Sequence, residues 1–218
     1  MISEKVQRIG ASPTLKISAK AKAVRAEGID VIDLSVGEPD FPTPENVKEA
    51  GIKAIRDNFT KYTDSDGILA LRKAIAKRLQ EDLGVEYAPK QIIVSAGAKS
   101  SLFHLVQALI DEGEEVIIPA PYWVSYPDMV LMADATPVIV PAGIEQGFRL
   151  KAGQLEAAIT PKTRLVIFNS PCNPTGAAYT KAELQAFGEV LAAHPRLLIM
   201  TDDMYEHIYW APEPFCSF

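Results

Sequence analysis

"RLLIMTDDMYEHIYW", residues 196–210, decides how the chain is read. Leu197 to Thr201 make a short apolar run of the kind that forms a buried strand, and two acids, Asp202 and Asp203, follow at its end. Earlier runs share that character: "QIIVSA" (91–96), "EVIIPA" (115–120), "TPVIVP" (136–141) and "RLVIFN" (164–169). They are too apolar to keep one face in water, so each is expected to be covered on both sides. Helical spacing appears in "PENVKEAGIKAIRDN" (44–58), through Val47, Ala50 and Ala54, and in "LALRKAIAKRLQEDLG" (69–84), through Leu71, Ile75 and Leu79. Gly84 closes the second as a C-cap. "KSSLFHLVQALIDEG" (99–113) and "KAELQAFGEVLAAH" (181–194) also read as helices; before the latter, Thr180 with Glu183 three residues on forms a capping box. Strands alternating with helices predict a three-layer α/β/α fold around a mostly parallel sheet. Ligands of such sheets gather at the carboxyl ends of the strands, where Asp202 stands.

The composition narrows the function classes. Of 218 residues 48% are hydrophobic and 23% charged, the balance of a globular protein able to bury a core. Twenty-two basic against 28 acidic residues give a net charge of -6, which supplies no broad basic surface for nucleic acid. No stretch is apolar enough for a secretory signal or a membrane span, so no membrane partner and a cytoplasmic location are expected. Cys172 and Cys216 belong to no CxxC or Cys/His pattern, so reduced thiols and no metal site are expected. An earlier segment, 12–37, carries its own helix and a short strand, "VIDLSVG" (31–37). Two proline-rich links, "GEPDFPTPEN" (37–46) and "PAPYWVSYP" (119–127), punctuate the chain, and the first is a candidate domain boundary.

Several strand ends carry chemistry. After "QIIVSA" comes "GAKSS", where free N–H groups at a helix start form an anion site suited to phosphate. After "EVIIPA", Tyr122, Trp123 and Tyr126 offer a stacking wall for a flat ring, or simply core. After "RLVIFN", "SPCNPTG" holds Asn173 in a stiff turn. A carboxylate at position 202 needs a partner, of which an arginine or a helix N-terminus is the ordinary kind; Asp203 reads as the more exposed neighbour, and Tyr205 brings a hydroxyl close by. A small planar ring bearing a phosphate and a basic nitrogen would satisfy all four strand ends together. Pyridoxal phosphate is such a molecule.

With these residues in view, the sequence resembles the class I/II aminotransferases of the fold-type I pyridoxal phosphate enzymes, and among them the bacterial aspartate aminotransferase kind. "LSVGEPDFPTP", "KYTDSDGILALRKAIA", "VSAGAKSSLFHL", "PAPYWVSYPDMV", "FNSPCNPTGAAY" and "TDDMYEHIYW" occur in family order and spacing. The resemblance implies that Asp202 pairs with the protonated pyridine nitrogen, Asn173 and Tyr205 bond the ring's phenolic oxygen, and Trp123 stacks on its face. Gly97, Ala98 and Lys99 would form the phosphate cradle, and Tyr62 would reach the phosphate of the other subunit in a homodimer. Gly37, Ser12, Thr14 and Lys99, with Trp123 and Asn173, would line the substrate site, a set that points to a dicarboxylic amino acid and a 2-oxo acid.

The same resemblance divides the chain into an N-terminal arm with part of a small domain (1–40) and the N-terminal portion of a large cofactor domain (41–218), a fold incomplete at its C-terminus. It also implies that Ala120-Pro121 and Asn173-Pro174 are cis. The family's Schiff-base lysine would fall after Phe218, and Lys99 is not promoted to that role. Alternatives therefore stay open: a non-catalytic chain of this fold, a fragment needing a partner, or a lyase of the same superfamily.

Overall fold

A computed structural model describes residues 2–10, 12–35, 37 and 41–218. They fall into two compact units, Gly10–Leu69 and the union of Met1–Ile9 with Ala70–Phe218.

In the first unit, α2 (Pro13–Ala26) follows α1 (Glu4–Gln7) of the other unit and starts where Ser12 caps it, its hydroxyl accepting from Leu15 N at 3.5 Å. Pro13 sits at the first helical position, where a missing N–H costs nothing. Helix α3 (Glu45–Arg56) matches its expected span. The strand expected at "VIDLSVG" does not form among the described residues. Asp33 instead turns the chain locally, accepting from Ser35 N at 3.0 Å and Ser35 Oγ at 2.5 Å, and these bonds hold its carboxyl below the usual range. Val36 of that run and Glu38 to Asp40 of the proposed boundary segment lie outside the described residues.

The second unit holds the layered core. Helix α4 (Leu69–Leu83) ends at Gly84, whose φ of +71° is the left-handed conformation a C-cap requires. Then come α5 (Ala98–Leu109), β1 (Glu115–Ala120), α6 (Ser125–Met132), β2 (Thr136–Pro141), α7 (Ala152–Ala158), β3 (Thr163–Asn169), α8 (Lys181–Ala192) and β4 (Leu198–Asp202). The four strands are parallel in the order β2-β1-β3-β4.

The central strands explain the uniformly apolar runs. Val116 and Ile118 of β1 with Leu165 and Ile167 of β3 face α5 and α6, packing on Leu102, Val106, Tyr126 and Val130. Ile117, Val166 and Phe168 point the other way, onto Leu155 of α7 and Leu184, Phe187 and Leu191 of α8. These residues of the two central strands thus find an apolar layer on either face, which gives the expected α/β/α sandwich, while Ile139 of β2 and Ile199 of β4 stay exposed on the outer strands.

Two expectations need correction here. "QIIVSA" forms no strand among the described residues: Pro89–Gln91 is a 3-10 turn, Ile92 after it is extended, and no ladder covers Ile92 to Ser95. Ile92 is buried but Ile93 is 73% exposed, and a strand exists only where a neighbour exchanges hydrogen bonds with it. "PAPYWVSYP" is not merely a link, because α6 begins inside it; Pro127 falls in the first turn, where it breaks no helical bond. Ala120-Pro121 and Asn173-Pro174 are cis as expected, and Ser170-Pro171 is cis as well. No helix among the described residues is long and apolar enough to cross a membrane.

Candidate active site

The strand order places the site. From β1 the chain moves to β2 on one side, then crosses to β3 on the other, so the crossover helices lie on opposite faces and a crevice opens between the carboxyl ends of β1 and β3. Pro121, Tyr122, Tyr126, Asn169, Cys172 and Tyr179 line a cavity at that point.

Asp202 is the last residue of β4, half-buried. Its Oδ2 accepts from the Tyr126 hydroxyl at 2.6 Å and its Oδ1 from Met204 N at 3.3 Å. Among the described residues it takes part in no ion pair, so neither the arginine nor the helix N-terminus of the ordinary reading is its partner. Tyr126 is 1% exposed; burial first, then the Asp202 charge, pushes its phenol far above the ordinary value, so it stays a donor. Its ring meets Trp123 edge-on, with centroids 5.4 Å apart. Lys99 Nζ lies 4.9 Å from the Trp123 ring centroid.

On the other side, Asn169 at the end of β3 ties the strand ends together. Its Nδ2 donates to Asp202 O at 2.8 Å, and its Oδ1 accepts from Asn173 N at 2.8 Å. The Asn173 side chain then donates to Tyr205 Oη at 3.3 Å. Gly97 caps α5 with φ +86° and ψ 158°, a conformation nearly closed to other residues, and a Cβ there would meet nothing within 4 Å. Gly97 is exposed at the α5 N-terminus. Asp203 is not an exposed neighbour: it is half-buried, accepts from Ser217 Oγ at 2.5 Å, and burial raises its carboxyl above the usual range despite that bond.

Gly97, Ala98, Lys99, Trp123, Asn173, Asp202 and Tyr205 thus all belong to one unit, and contacts link Lys99 to Trp123, Trp123 through Tyr126 to Asp202, and Asp202 through Asn169 to Asn173 and Tyr205. Ser12, Thr14, Gly37 and Tyr62 belong to the other unit. There the Ser12 hydroxyl is occupied as a helix cap, Thr14 is half-buried, Gly37 is exposed, and Tyr62 is fully exposed. Sequence reasoning had Tyr126 only as an aromatic and passed over Asn169. The signal for both was position: each sits at or just past a strand's carboxyl end with a polar tip.

The family model for aminotransferase class I and II matches residues 29–217. The chain belongs to this family. Aminotransferase relatives include the aspartate/prephenate aminotransferase of Nitrosomonas europaea, 52% identical over 216 residues, 99% of this chain and 54% of that protein. The protein of the same name from Cereibacter sphaeroides is 54% identical over 95% of this chain and 52% of its own length. Among solved aminotransferases, the aspartate aminotransferase from Rhizobium meliloti superposes with a TM-score of 0.96 at 47% identity, over 100% of this chain and 54% of its own. That from Thermus thermophilus with maleate gives 0.94 at 41% identity, over 99% of this chain and 56% of its own. The chain spans about half the length of the curated relatives it matches.

Proposed function

We propose that this chain forms the cofactor-holding part of a pyridoxal phosphate-dependent transaminase that moves an amino group between a dicarboxylic amino acid, aspartate foremost, and a 2-oxo acid. One observation carries the reading: among the described residues the Asp202 carboxylate at the end of β4 is held by two neutral donors, Tyr126 and the Met204 amide, and by no cation. An anion so placed suits a cationic ring nitrogen brought by a ligand.

The residues present fit pyridoxal phosphate. Its ring supplies, when bound, an electron sink for the substrate's alpha carbon. Asp202 would hold the proton on the ring nitrogen, and Trp123 would cover the ring face. The Asn173 amide and the Tyr205 hydroxyl would donate to the ring oxygen, and their 3.3 Å contact sets them side by side for one acceptor. The α5 N-terminus at Gly97, Ala98 and Lys99 would take the phosphate, with the Lys99 charge adding to the helix field.

Substrate class rests on the relatives' names and on the maleate, a dicarboxylate, in the Thermus protein. Ser12, Thr14, Gly37 and Lys99 are assigned to the substrate side and Tyr62 to the phosphate of a partner subunit in a homodimer. The division into arm and small domain up to residue 40 and cofactor domain after it belongs to the same proposal. Two free thiols, Cys172 and Cys216, suit a reducing cytoplasm.

Aspartate and 2-oxoglutarate given to the protein carrying this chain, with pyridoxal phosphate, should yield oxaloacetate and glutamate. Ammonia release in their place would point to a lyase, and cofactor binding without turnover to a non-catalytic member.

A further inference from the structure

Tyr126 belongs to α6, yet its hydroxyl reaches a carboxylate 76 residues away, at the end of β4. We propose that Tyr126 is a positioning residue that fixes the orientation of the Asp202 carboxylate toward the ring nitrogen of bound pyridoxal phosphate; the role rests on the function proposed above.

Three features argue for it. The 2.6 Å bond is short, within the range of hydroxyl bonds to a carboxylate. Together with the Met204 amide at 3.3 Å on Oδ1, it restrains both oxygens, so the carboxylate cannot swing about its last torsion. Finally, the same ring packs edge-on against Trp123, so one side chain sets both the anion and the aromatic plate. The phenol is buried and cannot ionise at working pH, hence the donor is always present; Cys172 from the loop after β3 and Tyr205 after β4 are the other titratable groups felt at this hydroxyl. Tyr126 acts through Asp202 and needs no contact with the ligand.

The test is a double-mutant cycle read by pyridoxal phosphate binding to the 218-residue chain, using wild type, Tyr126→Phe, Asp202→Ala and the pair. Phenylalanine keeps the packing on Trp123 and removes only the bond. Losing a hydrogen bond to a charged group should weaken binding about tenfold or more. The pH midpoint of the bound cofactor's absorption band should also move down, because a loosened carboxylate holds the ring proton less well. In the Asp202→Ala background, Tyr126→Phe should change neither reading. Unchanged affinity and midpoint in Tyr126→Phe overturn the inference, as does an equal loss in the Asp202→Ala background, which would mark a purely structural role through Trp123. Should Tyr126→Phe fail to fold by circular dichroism, the hydroxyl proton of Tyr126 in wild type decides: slow exchange with solvent that becomes fast in Asp202→Ala supports the bond, and fast exchange in wild type overturns it. Wild-type binding that is indifferent to Asp202→Ala overturns the functional reading itself, and the inference with it.

Discussion

At the residue scale, two neighbouring acids have opposite roles. Asp202 keeps two neutral donors, whereas Asp203 is packed beside Ser217 and resists ionisation because it is half-buried. A carboxyl whose folded pKa is raised favours folding when protonated. That contribution is complete below the unfolded value near 3.8 and is lost as pH rises through the raised folded value. Urea unfolding of wild type and Asp203→Asn across acid to neutral pH should therefore show the variant gaining relative stability over that window and holding it beyond; a difference constant with pH would contradict the assignment. Gly97 makes a second case. With φ +86° and open space around a would-be Cβ, Gly97→Ala should cost about 1–3 kcal/mol through backbone strain alone, and an unchanged urea midpoint would contradict the positive φ. The positions of Asp202, Asn173 and Trp123 at or after strand ends were legible because the strands were. The Tyr126 hydroxyl was not, since a contact across 76 residues leaves no local pattern, and Ser12 could equally read as ligand contact or helix cap.

Helices, more than strands, carried their own signals. Thr180 accepts from Glu183 N at 3.2 Å while Glu183 Oε2 accepts from Thr180 N at 2.8 Å, the reciprocal arrangement that four letters of sequence announce. Thr180→Ala should lose about 1 kcal/mol in urea unfolding. Glu183→Ala should lose more than a cap alone, because Glu183 Oε1 also pairs with Arg149 Nε at 3.4 Å; equal losses would show that pair to be idle. Strands are different, since a run such as "QIIVSA" states only that it can be buried. β1 and β3 form because each has neighbours on both edges, while Ile92 to Ser95 have none among the described residues. Propensity was read correctly there, and pairing is not a property of the segment. Helix α6 was hidden for the converse reason: prolines mark turns and first helical turns alike.

Across the whole molecule, much apolar surface stays in water. Trp210 is 87% and Ile93 73% exposed in one unit, and Leu34 is 91% and Ile32 86% exposed in the other. Such surface favours association, so light scattering of the 218-residue chain should report species heavier than a monomer; a monodisperse monomer would contradict this. The sheet's layers were legible from apolar runs alternating with amphipathic helices, and the doubly wound order then brought separate strand ends to one crevice. The proposed function of that crevice comes down to one charge. Pyridoxal phosphate isotopically labelled at its ring nitrogen and bound to this chain reports by nitrogen NMR whether that atom is protonated. The account predicts a protonated nitrogen near neutral pH in wild type and a largely unprotonated one in Asp202→Asn; a neutral ring nitrogen in wild type, or the same protonation in both, would contradict it.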